Sequence, residues 1–261
     1  MNEFLLGSPM KLADAMALAN GTVKGVLNST IRERLVQSNL KALALSEGTE
    51  AIYGVNTGFG PLCSTRIPKS QTVELQYNLL RSHSVGLGEP IPPLVSRLML
   101  VTKIQSLAQG YSGVNPRLIE RMLWHLEEDI IPVVPEKGSV GASGDLAPLA
   151  HLFLPLIGEG EVWCEGKIEP AAAVLGQKGV EPLELGPKEG LALINGTQFI
   201  LSFGIWFAHQ FGILLDAADI IGAMSLDGLE GSWRPFVKEL HDIRPFPGNR
   251  HVASRLRTLL T

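Results

Sequence analysis

The segment GSVGASGDLAPLAH, residues 138–151, places small and flexible residues on both sides of Ser143. In a tight turn, the backbone nitrogen of Gly144 can approach the carbonyl carbon of Ala142, because small residues leave that path open. Attack closes a five-membered ring. Loss of one water gives an imidazolone, and loss of the Ser143 hydroxyl as a second water leaves an exocyclic methylidene. The pattern therefore indicates an electrophile made without an external cofactor, near a helix N-terminus whose dipole favours developing negative charge.

Two other interpretations of the same segment compete with this one. A serine hydrolase elbow requires G-x-S-x-G, but Asp145 stands where the second glycine belongs. A plain helix cap is also possible, with Ser143 or Asp145 capping a helix that begins near Leu146 and Pro148 in its first turn. The cap explains residues 145–148, but it does not explain why Ala-Ser-Gly follows two further glycines.

Composition excludes several classes of function. The chain has 261 residues, 45% of them hydrophobic, and a net charge of -4, so it predicts a globular protein without a basic surface for nucleic acid. The six histidines have no metal-ligand spacing, and no metal is expected. Cys63 and Cys164 form no CxxC motif, and the N-terminus has no basic signal-peptide region. A cytoplasmic protein is the expectation.

Apolar periodicity predicts that helices position these residues. A Thr30-x-x-Glu33 capping box is expected to open the helix over 28–48, and Ser70 to cap the next one. One β-hairpin is expected over 161–170, with its turn at Glu165-Gly166. Helices are predicted over 28–48, 70–83, 92–110, 115–132 and 169–179, with another after Asp145.

A stretch without charged residues runs from Gly190 to Leu215, which is long enough to cross a membrane. Polar residues within it, such as Asn195 and Gln198, and the absence of basic flanks favour a helix at the centre of a soluble bundle, from about Gly196 to Leu229. The predicted fold class is mainly α. A mixed helical domain with a small hairpin over 1–195 leads into the long helices of a central helical bundle over 196–261.

Six blocks together resemble the aromatic amino acid ammonia-lyase family, which contains histidine, tyrosine and phenylalanine ammonia-lyases and related aminomutases. The resemblance implies elimination of ammonia from an L-amino acid, a methylidene-imidazolone formed autocatalytically from Ala142, Ser143 and Gly144, and a homotetramer. Phe246 stands where histidine enzymes often have histidine. The blocks are GSVGASGDLAPLAH, YGVNTGFGPL (53–62), NLLRSHSVGLGEP (78–90), GYSGVNP (110–116), LINGTQ (193–198) and RPFPGN (244–249).

The resemblance also implies roles for individual residues. Tyr53 matches the catalytic base, although a loop-anchoring aromatic would look the same in isolation. His83 matches a position that contacts the substrate side chain, and it would also suit a helix C-terminus. Asn195 matches an asparagine that supports electrophile and substrate, and Asn-Gly is equally typical of a turn. The histidine enzymes fit best, with L-histidine as substrate and urocanate as product. Tyrosine or phenylalanine ammonia-lyases and aminomutases remain alternatives.

Family members are longer than this chain and contribute further site residues from their C-terminal part. The expectation is therefore a truncated or split lyase whose active site is incomplete in this chain alone. Its partners would be further copies of the chain, a separate C-terminal lyase chain, or both. A non-catalytic assembly subunit is the alternative from a different class.

Overall fold

The computed structural model describes residues 2–58, 66–141 and 144–260, together with the backbone but not the side chains of residues 69 and 70. The chain divides into two compact units, Met1–Ile205 and Trp206–Thr261. Helices dominate both units, which confirms the predicted mainly α class. The helices are α1 (Leu12–Ala19), α2 (Ser29–Glu47), α3 (Lys69–His83), α4 (Pro93–Leu107), α5 (Pro116–Glu127), α6 (Leu146–Phe153), α7 (Ala171–Gln177), α8 (Glu189–Ile194), α9 (Gln198–Gly228), α10 (Lys238–Asp242) and α11 (Pro247–Leu260).

Short strands form three small sheets in the first unit. The expected hairpin is present, and its turn has positive φ at both Glu165 and Gly166. The other pairings were not predicted, because strands of two to four residues carry no readable alternation. The pairs are β1 (Asn2–Leu5) parallel to β2 (Val23–Val26), β3 (Leu87–Pro90) antiparallel to β5 (Pro135–Lys137), and β4 (Ile131–Pro132) beside β6 (Glu161–Cys164), which pairs with β7 (Lys167–Pro170).

Helix α4 lies at the centre of the first unit. Most of its residues are buried, and it packs on α1, α5, α6 and β4. Because the helix is covered on all sides, its sequence is apolar almost all round rather than amphipathic. The remaining core is built around α3, α6 and α8, which pack against one another.

Two predicted helix starts were wrong. Helix α2 begins at Ser29 with Asn28 as its N-cap, and the Asn28 Oδ1 accepts from the Ile31 N–H at 2.8 Å. The capping box predicted at Thr30 is therefore displaced, since an Asn side chain two residues earlier caps the first turn. Helix α3 begins at Lys69 after Pro68, one residue before the predicted cap.

The second unit consists of the later part of α9 with α10 and α11. Arg255 of α11 holds α9 through ion pairs with Asp216 and Asp219. The stretch Glu189–Gly228 is long and apolar enough to cross a membrane, and only 22% of its most apolar window is buried. The helix expected to be buried is thus mostly exposed in this single chain.

Candidate active site

The Asn195–Gly196 turn joins α8 to α9. Asn195 ends α8 in an extended conformation, and its N–H donates to the Leu191 carbonyl at 3.0 Å. A Cβ added to Gly196 would lie 2.1 Å from the Oε1 atom of Gln198. Only glycine fits this position without moving the Gln198 side chain, which itself is buried. The predicted Asn-Gly turn is therefore present, with Gly196 packed against the Gln198 side chain and Asn195 exposed.

Gly144 lies directly against this turn. The neighbouring Asp145 N–H donates to the Gly196 carbonyl at 2.7 Å. A Cβ on Gly144 would meet the same carbonyl oxygen at 3.1 Å and the Gly196 nitrogen at 3.3 Å. The structure thus brings together the segments of two predicted site residues, Gly144 and Asn195. Ala142 and Ser143 lie outside the described residues.

The Asp145 carboxylate joins the same two segments. It is completely buried, accepts from the Ser139 hydroxyl at 2.6 Å and accepts from the Ile200 N–H at 3.1 Å. Asp145 is the N-cap residue of α6, but its side chain makes no capping bond to that helix. It instead satisfies an N–H in the first turn of α9, so a buried acidic side chain lies at the N-terminus of the long helix. Asp145 therefore occupies the predicted N-cap position of α6, but its side chain bonds to α9 instead, and Ser143, the other predicted cap, lies outside the described residues.

Lys103 is a residue of this region that the sequence analysis missed. Its side chain is almost fully buried within α4, and the Nζ atom donates to the Asn195 carbonyl at 2.9 Å. Burial lowers the pKa of the Lys103 ammonium to about 7, because the charged form loses its hydration. The sequence does contain an indication of this role. Lys103 lies inside the apolar run LMLVTKIQSL, which predicts a buried helix and therefore a lysine without access to solvent.

Tyr53 lies on a loop that is anchored from within. The loop turns at Gly54, where φ is +72°. The buried Asn56 side chain accepts from the Ile52 N–H at 2.7 Å and donates to the Glu50 carbonyl at 2.9 Å. The Tyr53 side chain is 55% exposed. The loop backbone is therefore held in place while the phenol stays accessible.

His83 is the last residue of α3 and is half-buried. Its Nδ1 lies 2.9 Å from the Leu79 carbonyl and 3.1 Å from the Ser82 hydroxyl. Since a carbonyl oxygen only accepts, Nδ1 carries a proton in this arrangement, and Nε2 is the nitrogen left to face another partner. Both sequence interpretations of His83 are compatible with this geometry.

The chain after His83 is tied to the helix that follows Gly144. The Gly86 N–H donates to Nε2 of His151 in α6 at 3.0 Å. Gly138 lies close by, since a Cβ there would be 3.3 Å from the Gly86 Cα atom and 3.2 Å from the Ala147 Cβ atom. Burial lowers the pKa of His151, which keeps its ring neutral and able to accept. The His83 segment, the glycine-rich segment and the start of α6 are therefore neighbours.

No group of three or more His, Cys, Asp or Glu side chains suitable for a metal ion occurs within residues 2–58, 66–141 and 144–260. The polar groups around the Asn195–Gly196 turn are an ammonium, a carboxylate and backbone amides. Such a set can hold an organic reactant or a backbone-derived group, and it resembles no metal centre.

Comparisons with known proteins agree on one family. The model of the family described as aromatic amino acid lyase matches residues 10–261. A histidine ammonia-lyase of Deinococcus radiodurans is 47% identical over 234 residues, which cover 90% of this chain and 45% of that protein. The chain spans about half the length of the curated relatives it matches.

Two solved structures show the same fold. The histidine ammonia-lyase of Trypanosoma cruzi matches with a TM-score of 0.90 and 35% identity, over 98% of this chain and 50% of that chain. The tyrosine aminomutase of Streptomyces globisporus matches with a TM-score of 0.90 and 36% identity, over 97% and 48% respectively. The structures alone therefore do not separate the two activities.

Proposed function

The chain belongs to the aromatic amino acid lyase family, and from this premise we propose that it forms the electrophile-bearing part of a carbon–nitrogen lyase that converts L-histidine to urocanate and ammonia. One observation carries the proposal, which is the contact between Gly144 and the Asn195–Gly196 turn. It joins the end of the predicted ring-forming tripeptide to the asparagine that the sequence assigns to the same site.

The described end of the tripeptide is compatible with a methylidene-imidazolone. A Cβ on Gly144 would lie 3.1 Å from the Gly196 carbonyl oxygen, so the close approach of these two segments favours glycine at this position. The Asp145 hydrogen bonds fix the chain immediately downstream. When formed, the ring supplies an electrophilic carbon that makes loss of ammonia from an amino acid feasible. No external cofactor belongs to this proposal.

Three side chains complete the proposed site. Tyr53 would remove the β-proton of the substrate, and its accessible phenol on an anchored loop supports that role. Asn195 would hold the electrophile and the substrate through its amide. His83 would contact the imidazole of the substrate, with Nε2 as the acceptor of a ring N–H.

We also propose a cytoplasmic homo-oligomer in which other polypeptide, from further copies or from a separate C-terminal lyase chain, completes the active site. The exposed apolar side chains of α9 support an interface of this kind. The low cysteine content supports a reducing compartment.

The first test is the mass of the peptide that contains Ser143. The expected result is a deficit of two water molecules in the wild type and its absence in Ser143→Ala, because that variant has no hydroxyl to lose. The enzyme containing this chain should release urocanate from L-histidine, and Ser143→Ala and Tyr53→Phe should each reduce that rate by at least roughly a hundredfold. A peptide of unaltered mass in an active enzyme would refute the proposed electrophile.

A second candidate function is favoured by the likeness to the Streptomyces globisporus tyrosine aminomutase. The same assay with L-tyrosine or L-phenylalanine would then give coumarate, cinnamate or a β-amino acid in place of urocanate. A non-catalytic assembly subunit is the outcome if Ser143→Ala leaves the activity of the assembled complex unchanged.

A further inference from the structure

Lys103 is an unusual buried cation. It is 1% exposed, and its neighbours along α4 include the buried side chains of Val101, Ile104 and Leu107. Several other lysines have acidic partners at the surface, as Lys178 has in Glu128 at 2.9 Å. Among the described residues, no carboxylate lies within ion-pair distance of the Lys103 ammonium. Within the described part of the chain, its ammonium donates to the Asn195 carbonyl at 2.9 Å.

The buried acids on the neighbouring segments are engaged elsewhere. Asp145 accepts from Ser139 and Ile200, and Glu189 accepts from the backbone N–H groups of Asn115 and Gly186. Desolvation is accordingly the cause of the lowered Lys103 pKa, with no opposing attraction from a carboxylate. An apolar side chain would fill this volume without that cost, so packing alone does not account for a lysine here.

The hydrogen bond from Lys103 is one of two that hold the Asn195–Gly196 turn in place. The turn is held on one side by Lys103 through the Asn195 carbonyl. It is held on the other side by the Asp145 N–H through the Gly196 carbonyl, where Gly144 is also in contact. The Asn195 carbonyl is part of the Asn195–Gly196 peptide, and the Gly196 carbonyl is part of the next peptide, so each bond restrains one of two successive peptides of the turn.

We propose that Lys103 is a positioning residue, whose hydrogen bond to the Asn195 carbonyl fixes the Asn195–Gly196 turn against Gly144 and so aims the Asn195 side chain at the reacting groups. That Lys103 holds the turn is argued from the contacts alone. That this affects catalysis rests on the proposed function. Lys103 touches neither substrate nor electrophile in this assignment, and it acts through Asn195.

The test compares Lys103→Met, Lys103→Gln and Lys103→Arg with the control Lys178→Met, which removes an exposed lysine from the same unit. Hydrogen exchange is measured for the peptide 191–199 and for the distant hairpin peptide 161–170. The values of kcat and KM for ammonia release from L-histidine are measured on the enzyme that contains this chain. Gln keeps a polar group but is too short to reach the carbonyl, which provides a second variant if Met does not fold.

Met or Gln is expected to speed exchange in 191–199 by roughly tenfold, the effect of losing one buried hydrogen bond, and to leave 161–170 unchanged. The value of kcat should fall by roughly tenfold or more, while KM changes by less than about threefold. Arg, which keeps a donor, should restore most of both losses, and Lys178→Met should match the wild type.

Wild-type exchange in 191–199 for a folded Met or Gln variant would overturn the proposal. Equal acceleration in both peptides would also overturn it, since that reports general destabilisation. The two hypotheses fail separately: if the wild type releases no ammonia from any aromatic amino acid, the proposed function fails, and the exchange measurement still decides whether Lys103 holds the turn.

Discussion

His125 is a buried imidazole, and the folded protein disfavours its doubly protonated, charged form. Its Nδ1 donates to the Ile130 carbonyl at 2.8 Å, and its buried Nε2 has no hydrogen-bond partner among the described residues. The Trp124 ring lies edge-on beside it at 5.0 Å. Burial lowers the pKa of His125 to about 4. The neutral ring is therefore part of the folded state at neutral pH.

The consequence is a pH-dependent stability. Because the folded pKa lies below the unfolded value of 6.5, the unfolded chain takes up the proton first as the pH falls. The His125 contribution is fully present above pH 6.5 and is lost between pH 6.5 and about 4, at a cost of about 3 kcal/mol. Urea unfolding at pH 7, 6 and 5 should show a shallower acid loss for His125→Gln than for the wild type. The exposed His251→Gln control should retain the wild-type slope, and an unchanged slope for His125→Gln would contradict the assignment.

The same residue-scale physics explains what the sequence did and did not reveal about the site. Gly144 was identified by the ring chemistry that its type permits and Asp145 as a helix cap, and these are local properties, whereas the site role of Asn195 came from the family resemblance. Lys103 was missed because its importance comes from a partner 92 residues away in sequence. The target of the Asp145 side chain was assigned incorrectly for the same reason, since Ile200 is 55 residues distant.

At the scale of elements, α3 and α8 meet through a close approach of backbones. The Gln76 side chain of α3 accepts from the Gly190 N–H at 3.0 Å and so satisfies the first turn of α8. A Cβ on Gly190 would lie 2.7 Å from the Gln76 carbonyl oxygen and 3.0 Å from its Cα atom. Since α3 ends in His83 and α8 ends in Asn195, this contact sets the positions of two proposed site residues.

Gly190→Ala should therefore destabilise the protein by about 1–3 kcal/mol, because neither backbone can yield cheaply. Gly176→Ala in α7 is the matched control, since a Cβ there meets nothing within 4 Å. It should stabilise by roughly 0.5–1 kcal/mol through helix propensity. Urea denaturation of both variants measures the difference. Equal free energies of unfolding for the two variants would show that α3 and α8 are not in close contact.

Most helices were predictable because periodicity, prolines and capping residues are written in the local sequence. The hairpin was predictable because Glu165-Gly166 suits a turn with two positive φ angles. The β3–β5 pair was not, because LGEP and PEK contain prolines and too few residues to show alternation. The mutual packing of α3, α6 and α8 depends on contacts between distant segments, which periodicity does not encode.

At the scale of the whole molecule, α9 presents an apolar surface that nothing in a single chain covers among the described residues. Large apolar residues along it are 45–69% exposed, and burying such a side chain from full exposure is worth about 1.5–3 kcal/mol. Either a protein partner or a lipid bilayer could cover this surface. The exposed side chains are Ile200, Leu201, Phe207, Phe211, Ile213, Leu214, Leu215, Ile220, Ile221 and Met224.

The proposed oligomer predicts that Leu214→Glu, at a position that is 65% exposed, places a charge in the interface and shifts the protein to smaller species. Leu40→Glu on α2, at a position that is 53% exposed, is the control and should leave the size unchanged. Sedimentation velocity from about 1 to 50 μM measures the size, and flotation with phospholipid vesicles measures lipid binding. A wild-type protein that stays monomeric throughout, or that floats with vesicles while Leu214→Glu does not, would assign α9 to a different occupant.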